Sequence, residues 1–165
     1  MISAKQDHIK LYGIIDTDLI NYKKISMVLE FPTCSFKCNK EYGSNICQNY
    51  QLAKYKPYDF KISDILDSYK LNTLTEAILY QGLEPFDSFL DLYNFTEKFR
   101  ELFDDDIVIY TGYYESEISQ YLDMLKQFEN IIVKFGRYIP NQKSHYDEIL
   151  GIYLSSDNQY SLKLS

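Results

Sequence analysis

Phe60-Lys-Ile-Ser-Asp-Ile-Leu-Asp-Ser-Tyr-Lys70, followed by Glu76-Ala-Ile-Leu-Tyr-Gln-Gly82, is the stretch whose reading decides the fold. In its first half Ile62, Ile65, Leu66 and Tyr69 recur at helical spacing, which makes one face of a helix apolar. Its second half is a short apolar run closed by glycine, the pattern of a buried strand. The alternation repeats outward. Asp87 is placed to cap a helix running to about Phe103, and Ile107-Val-Ile-Tyr-Thr111 reads as a strand ending at Gly112. Ser116 can cap a helix with Ile118, Tyr121, Leu122, Leu125 and Phe128 on one side, and Ile131-Ile-Val-Lys134 is a strand ahead of Gly136. Strand and helix alternating through residues 60–134 imply right-handed crossovers and a mostly parallel sheet, an α/β fold.

Upstream, residues 9–15 read as a short extended element punctuated by Asp16, Thr17 and Asp18, and residues 25–31 as a buried strand closed by Pro32. Downstream, residues 149–154 and 160–164 read as short strands around the turn Ser155-Ser-Asp-Asn158. One domain over residues 1–165 is expected, because the chain is long enough for a sizeable core and short for two. Hydrophobic residues are 45% of the chain, with 17 Tyr and 10 Phe, so it has enough to bury to fold as a globule. Tyrosine at this density is read as amphipathic filler of core and interface rather than as a radical relay. The acidic run Asp104 to Asp106 is read as a solvated turn.

A net charge of −7 disfavours nucleic acid and anionic membrane as partners. The N-terminal stretch lacks a basic start with an apolar run, and no stretch has the length of a membrane span, so a cytoplasmic location is expected. All three cysteines, Cys34, Cys38 and Cys47, fall on one loop after the strand ending at Phe31, where parallel α/β sheets bind ligands. An odd number of clustered cysteines argues against a disulfide framework and for reduced thiols. Three thiolates, with His8 and His145 far off in the chain, fit a closed structural zinc site poorly and an open-sited cluster better. Spacing alone leaves two readings open, metal ligation and simple burial of small apolar thiols. Gly82-Leu-Glu-Pro85 likewise reads either as a close backbone approach to a ligand or as an ordinary strand-to-helix turn.

Taken together, Cys34/Cys38/Cys47, Gly82-Leu-Glu-Pro85 and Thr111-Gly-Tyr113 resemble, in the same order, the motifs of the radical S-adenosylmethionine family. The resemblance is strongest to its small branch of activating proteins for anaerobic ribonucleotide reductase. Asn49, Gly136-Arg-Tyr-Ile-Pro140 and Ser155-Ser-Asp-Asn-Gln159 extend the resemblance over most of the chain. Two positions depart from it. The second cysteine gap is eight residues where the family has two, which makes Asn39 to Ser44 an insertion, and Leu83 stands where the family has a second glycine. A longer loop can still deliver a thiolate, since doubling its length costs only about 0.6 kcal/mol of closure entropy. Leu83 is tolerable if contact is made through its carbonyl and its φ is negative.

The resemblance implies a partial (β/α) barrel. It implies a 4Fe-4S cluster on Cys34, Cys38 and Cys47, with the free iron holding S-adenosylmethionine, and no catalytic side chain beyond cluster and cofactor. By the same analogy Gly82, Leu83 and Glu84 contact the methionine amino group, and Ile46 sits against adenine. Asn49, Thr111, Lys134 and Asn158 are further cofactor-binding candidates. Reductive cleavage of S-adenosylmethionine to a 5′-deoxyadenosyl radical would then remove hydrogen from a glycine of a partner glycyl radical enzyme, anaerobic ribonucleotide reductase being the first to consider. A flavodoxin or ferredoxin would donate the electron. The alternatives are a small radical enzyme acting on another peptide or small molecule, and a non-catalytic metal-binding module.

Overall fold

The computed structural model describes residues 6–33, 40–41 and 50–165. The three cysteines, Ile46 and Asn49 lie outside the described residues. The centre is a six-stranded sheet of β2 (Gly13–Asp18), β3 (Ser26–Phe31), β5 (Ala77–Gly82), β6 (Asp106–Tyr110), β7 (Ile131–Phe135) and β10 (Tyr160–Lys163). Their order across the sheet is β10-β7-β6-β5-β3-β2. The inner four are parallel, and β2 and β10 close the edges antiparallel. As described, the sheet is open, with no closed barrel.

Among the described residues three helices longer than a turn connect the parallel strands: α1 (Ile62–Leu71), α2 (Phe89–Arg100) and α3 (Ser119–Leu125). Each new strand is added on the same side of the last, so right-handed crossovers place every helix on one face. That face carries the main core, where Ile65 and Tyr69 of α1, Phe95 and Phe99 of α2 and Leu122 of α3 bury against Ile78, Ile107 and Val133. Burying each such side chain contributes roughly 1.5–3 kcal/mol. The opposite face, free of helices among the described residues, has a smaller core. Val28, Leu79, Val108 and Ile132 are covered there by Tyr22, Leu150 and Leu154.

Several elements differ from the sequence reading. Residues 9–15 split at Tyr12 into β1 (His8–Leu11), which pairs with β4 (Tyr58–Lys61) in a separate ribbon, and β2, which joins the main sheet. Asp87 and Ser116 cap neither helix. Each sits inside a 3-10 turn, Pro85–Ser88 or Glu115–Glu117, that precedes the helix start. The second helix ends at Arg100, and the N–H groups of Leu102 and Phe103 fold back onto the Phe99 carbonyl. Residues 149–151 form the turn of a hairpin between β8 (His145–Asp147) and β9 (Ile152–Leu154). In the acidic run Asp104 is exposed as read, but two members are anchored: Asp105 accepts the Tyr69 hydroxyl at 2.7 Å, and Asp106 accepts Tyr22 Oη at 3.0 Å and Lys24 Nζ at 2.5 Å.

Candidate functional site

The candidate site lies at the carboxyl ends of the parallel strands, where β3 runs out towards Cys34. Strand pairing continues past the sheet there. Leu83 donates its backbone N–H to the Phe31 carbonyl at 3.0 Å, and Glu84 donates to the Thr33 carbonyl at 2.6 Å. The hydroxyls of Thr33 and Ser88 lie 2.6 Å apart. Gly82-Leu-Glu-Pro85 is thereby tied to the last described residue before Cys34.

Glycine is required at position 82. Its φ is +102°, and a Cβ would lie 2.6 Å from Phe31 N and 2.7 Å from Phe31 O, which are backbone atoms with nowhere to move. Leu83 needs no such freedom, because among the described residues only Asn130 and Asn141 combine a side chain with positive φ. The condition on its backbone is met.

Glu84 is 4% exposed and its carboxylate is held by three donors of the protein. Oε1 accepts from Phe86 N at 3.1 Å and Thr111 Oγ1 at 2.8 Å, and Oε2 accepts from Gly112 N at 2.9 Å. The side chain thus ties the end of β5 to the end of β6. Burial pushes its pKa up to about 7, against the three donors, which pull it down. Thr111 is held in the same way, since its Oγ1 also accepts Tyr113 N at 3.0 Å.

Lys134 and Asn158 are brought to the same end of the sheet. Lys134 is buried, with Nζ 3.3 Å from the Gly136 carbonyl and 5.8 Å from the centre of the Tyr110 ring. Asn158 Nδ2 donates to Tyr114 Oη at 2.8 Å and to the Arg137 carbonyl at 2.7 Å, while its Oδ1 accepts Ser156 Oγ at 2.7 Å. Gln159 holds the same turn, accepting from Ser155 N and Ser156 N and donating to the Gly136 carbonyl at 3.3 Å. Ser155-Ser-Asp-Asn-Gln159 is therefore a clamp on the loop after β7.

The sequence reading quoted Arg137 only within Gly136-Arg-Tyr-Ile-Pro140 and gave it no role. It is 4% exposed, stacks 4.9 Å from the Tyr114 ring, and pairs through Nη2 with Glu117 Oε1 at 2.5 Å. Its Nε lies 3.2 Å from Glu41 Oε1, an ion pair without hydrogen-bond alignment. Burial works against its charge, but Glu117 and Glu41 outweigh that and hold its pKa above the usual value. Glu41 belongs to the inserted residues between Cys38 and Cys47, so Arg137 joins the insertion to the ends of β6 and β7. Glu30 was missed too. It is the one charged residue in the apolar run of β3, which is the signal that marks it.

Among the described residues no group of three or more His, Cys, Asp or Glu side chains gathers to hold a metal. The donor chemistry of the three cysteines is that of a cluster, and the residue before Cys34 is fixed in place by Glu84 N. A groove of about 350 Å³ between Phe86, Phe89, Tyr93 and Tyr121 lies among the 3-10 turn, α2 and α3, on the helix side.

The fold is of mixed α/β architecture with a mostly parallel sheet, and the cluster assignment comes from comparison with known families. The family model for the 4Fe-4S single cluster domain matches residues 25–160, from the start of β3 to β10. The chain belongs to that family. No curated protein matches it. No helix is long and apolar enough to cross a membrane among the described residues.

Proposed function

We propose that this iron-sulfur protein is a small radical S-adenosylmethionine enzyme that activates a glycyl radical enzyme, with anaerobic ribonucleotide reductase as the first candidate partner. One observation carries the reading. The backbone of Gly82-Leu-Glu84 is stitched to Phe31 and Thr33 directly beside Cys34, so a ligand chelated at a cluster there would meet the motif's backbone. Bound at Cys34, Cys38 and Cys47, the cluster would supply the electron that cleaves the sulfonium bond.

This chain's own residues bind, orient and exclude water. The carbonyls of Gly82 and Leu83 would accept from the methionine amino group. Glu84 and Thr111 would hold those carbonyls in register rather than touch the ligand, because their side chains already bind each other. Lys134 and the Asn158 turn would border the ribose and carboxylate, and Ile46 and Asn49 would complete the pocket from the cysteine loop. A flavodoxin or ferredoxin would be the electron donor.

The test is anaerobic reconstitution with iron and sulfide, then reduction with dithionite in the presence of S-adenosylmethionine. Formation of 5′-deoxyadenosine and methionine is the expected result. A fully loaded cluster that yields neither product would sink the enzymatic reading and leave a cluster-binding module.

A further inference from the structure

The helix-free face of the sheet ends in a row of polar side chains above its apolar floor. Val28, Leu79, Val108 and Ile132 form the floor, and two residues further along each strand stand Glu30, Gln81, Tyr110 and Lys134. Strand alternation points all four to the same face, and Glu30 and Gln81 are direct register partners, as are Tyr110 and Lys134.

Two of the four are spoken for. Tyr110 donates its hydroxyl to the Asn21 carbonyl, and Lys134 reaches the Gly136 carbonyl. Glu30 and Gln81 have side chains with no hydrogen bond or ion pair among the described residues. On its other flank Glu30 pairs with Gly13, where an added Cβ would meet nothing within 4 Å. Among the described residues the carboxylate therefore has nothing against it on the edge side and an amide on the inner side. Burial raises its pKa, as expected of a half-buried acid lacking a cation. Lys134 is the nearest cation along the row, three strands away, roughly 14 Å at ordinary strand spacing.

A half-buried carboxylate without a partner costs stability unless something positive binds against it. We infer that Glu30 and Gln81 form a subsite for the cationic sulfonium of S-adenosylmethionine, Glu30 supplying the opposing charge and Gln81 a side-chain amide beside it. The inference rests on the proposed function, which brings the ligand's amino group to Gly82-Leu-Glu84. Glu30 precedes Phe31, the register partner of Gly82, so the subsite adjoins that motif. The sulfonium is only three carbons from the amino group, so it falls within reach of the pair.

The test compares two ligands differing in this charge, S-adenosylmethionine and the neutral S-adenosylhomocysteine, by anaerobic calorimetric titration of the cluster-loaded protein. Wild type is expected to favour the sulfonium about tenfold, and Glu30→Gln to lose most of that preference while holding S-adenosylhomocysteine within about twofold. Glu30→Gln is also expected to unfold at no lower temperature than wild type, since an uncompensated charge is removed. Cluster absorbance in both proteins confirms equal loading. Wild type binding both ligands with an unchanged ratio in Glu30→Gln would overturn this inference and leave the proposed function standing. Failure of loaded wild type to bind either ligand would overturn both.

Discussion

Glu84 shows at the scale of one residue how this site is held. Its carboxyl is buried yet receives three donors, so desolvation and hydrogen bonding oppose each other, and desolvation prevails with a pKa of about 7. The consequence for stability has a definite sign. Between the ordinary carboxyl value of 4.5 and about 7 the folded protein holds a proton that the unfolded chain has released. Stability from this group is therefore fully present below pH 4.5 and is lost as pH rises to about 7, a change of order 3 kcal/mol. Glu84→Gln cannot titrate, but it turns an amide N–H towards a backbone donor, Gly112 N or Phe86 N. Urea unfolding at pH 4.5 and pH 8 is expected to find the variant much less stable than wild type at the lower pH, with the gap shrinking by about 3 kcal/mol at the higher. Other titrating groups cancel in the difference, so a gap independent of pH would contradict the burial argument. The Glu84 side chain was legible as part of a motif. Its partners were not, because Thr111 and Gly112 lie more than 25 residues away and only the sheet brings them together.

Among the elements, those with a long one-sided apolar pattern were readable from sequence, and the short ones were not. Ile62, Ile65, Leu66 and Tyr69 face the core as their spacing requires. The ribbon strands β4 and β8, four and three residues long, carry too few residues for a period to register. Helix starts were misplaced because Asp87 and Ser116 serve 3-10 turns, and Asp87 instead accepts the Tyr113 hydroxyl at 2.5 Å. Besides the packing of Leu150 and Leu154, one buried polar side chain ties the β8–β9 hairpin to the sheet. Asp147 Oδ1 accepts Ser161 Oγ at 2.6 Å and Leu150 N at 2.9 Å, and Oδ2 accepts Ser161 N at 3.1 Å. Asp147→Ala would leave buried backbone donors on both the hairpin and β10 unpaired, at about 1–3 kcal/mol each. The variant is expected to lose roughly 3 kcal/mol in urea unfolding. Amide exchange should speed up first at Leu150 and Ser161, the two residues that lose their acceptor. Uniform acceleration across all strands would instead mean that the hairpin has no separate local stability.

For the whole molecule, the sheet end gathers Gly82, Glu84, Thr111, Lys134 and Asn158 from four separate segments, and the cysteine loop springs from the same end. Several of the tyrosines have satisfied hydroxyls. Tyr22, Tyr69 and Tyr160 donate to Asp106, Asp105 and Glu115, and Tyr80 lies within hydrogen-bond distance of Thr96. What the sequence leaves open is the loop itself, whose second cysteine gap of eight residues has one described anchor, Glu41 beside Arg137. Lengthening that gap from two to eight is two doublings, about 1.2 kcal/mol of closure entropy, which is small beside the affinity of thiolates for a cluster. Closure entropy is therefore no bar to Cys47 serving as the proposed third ligand despite its distance in the chain. After anaerobic reconstitution, Cys47→Ala is expected to lose cluster absorbance and bound iron as completely as Cys34→Ala does. A Cys47→Ala protein with wild-type absorbance would show that the third ligand lies elsewhere. Among the described residues no alternative set of His, Cys, Asp and Glu stands ready to replace it.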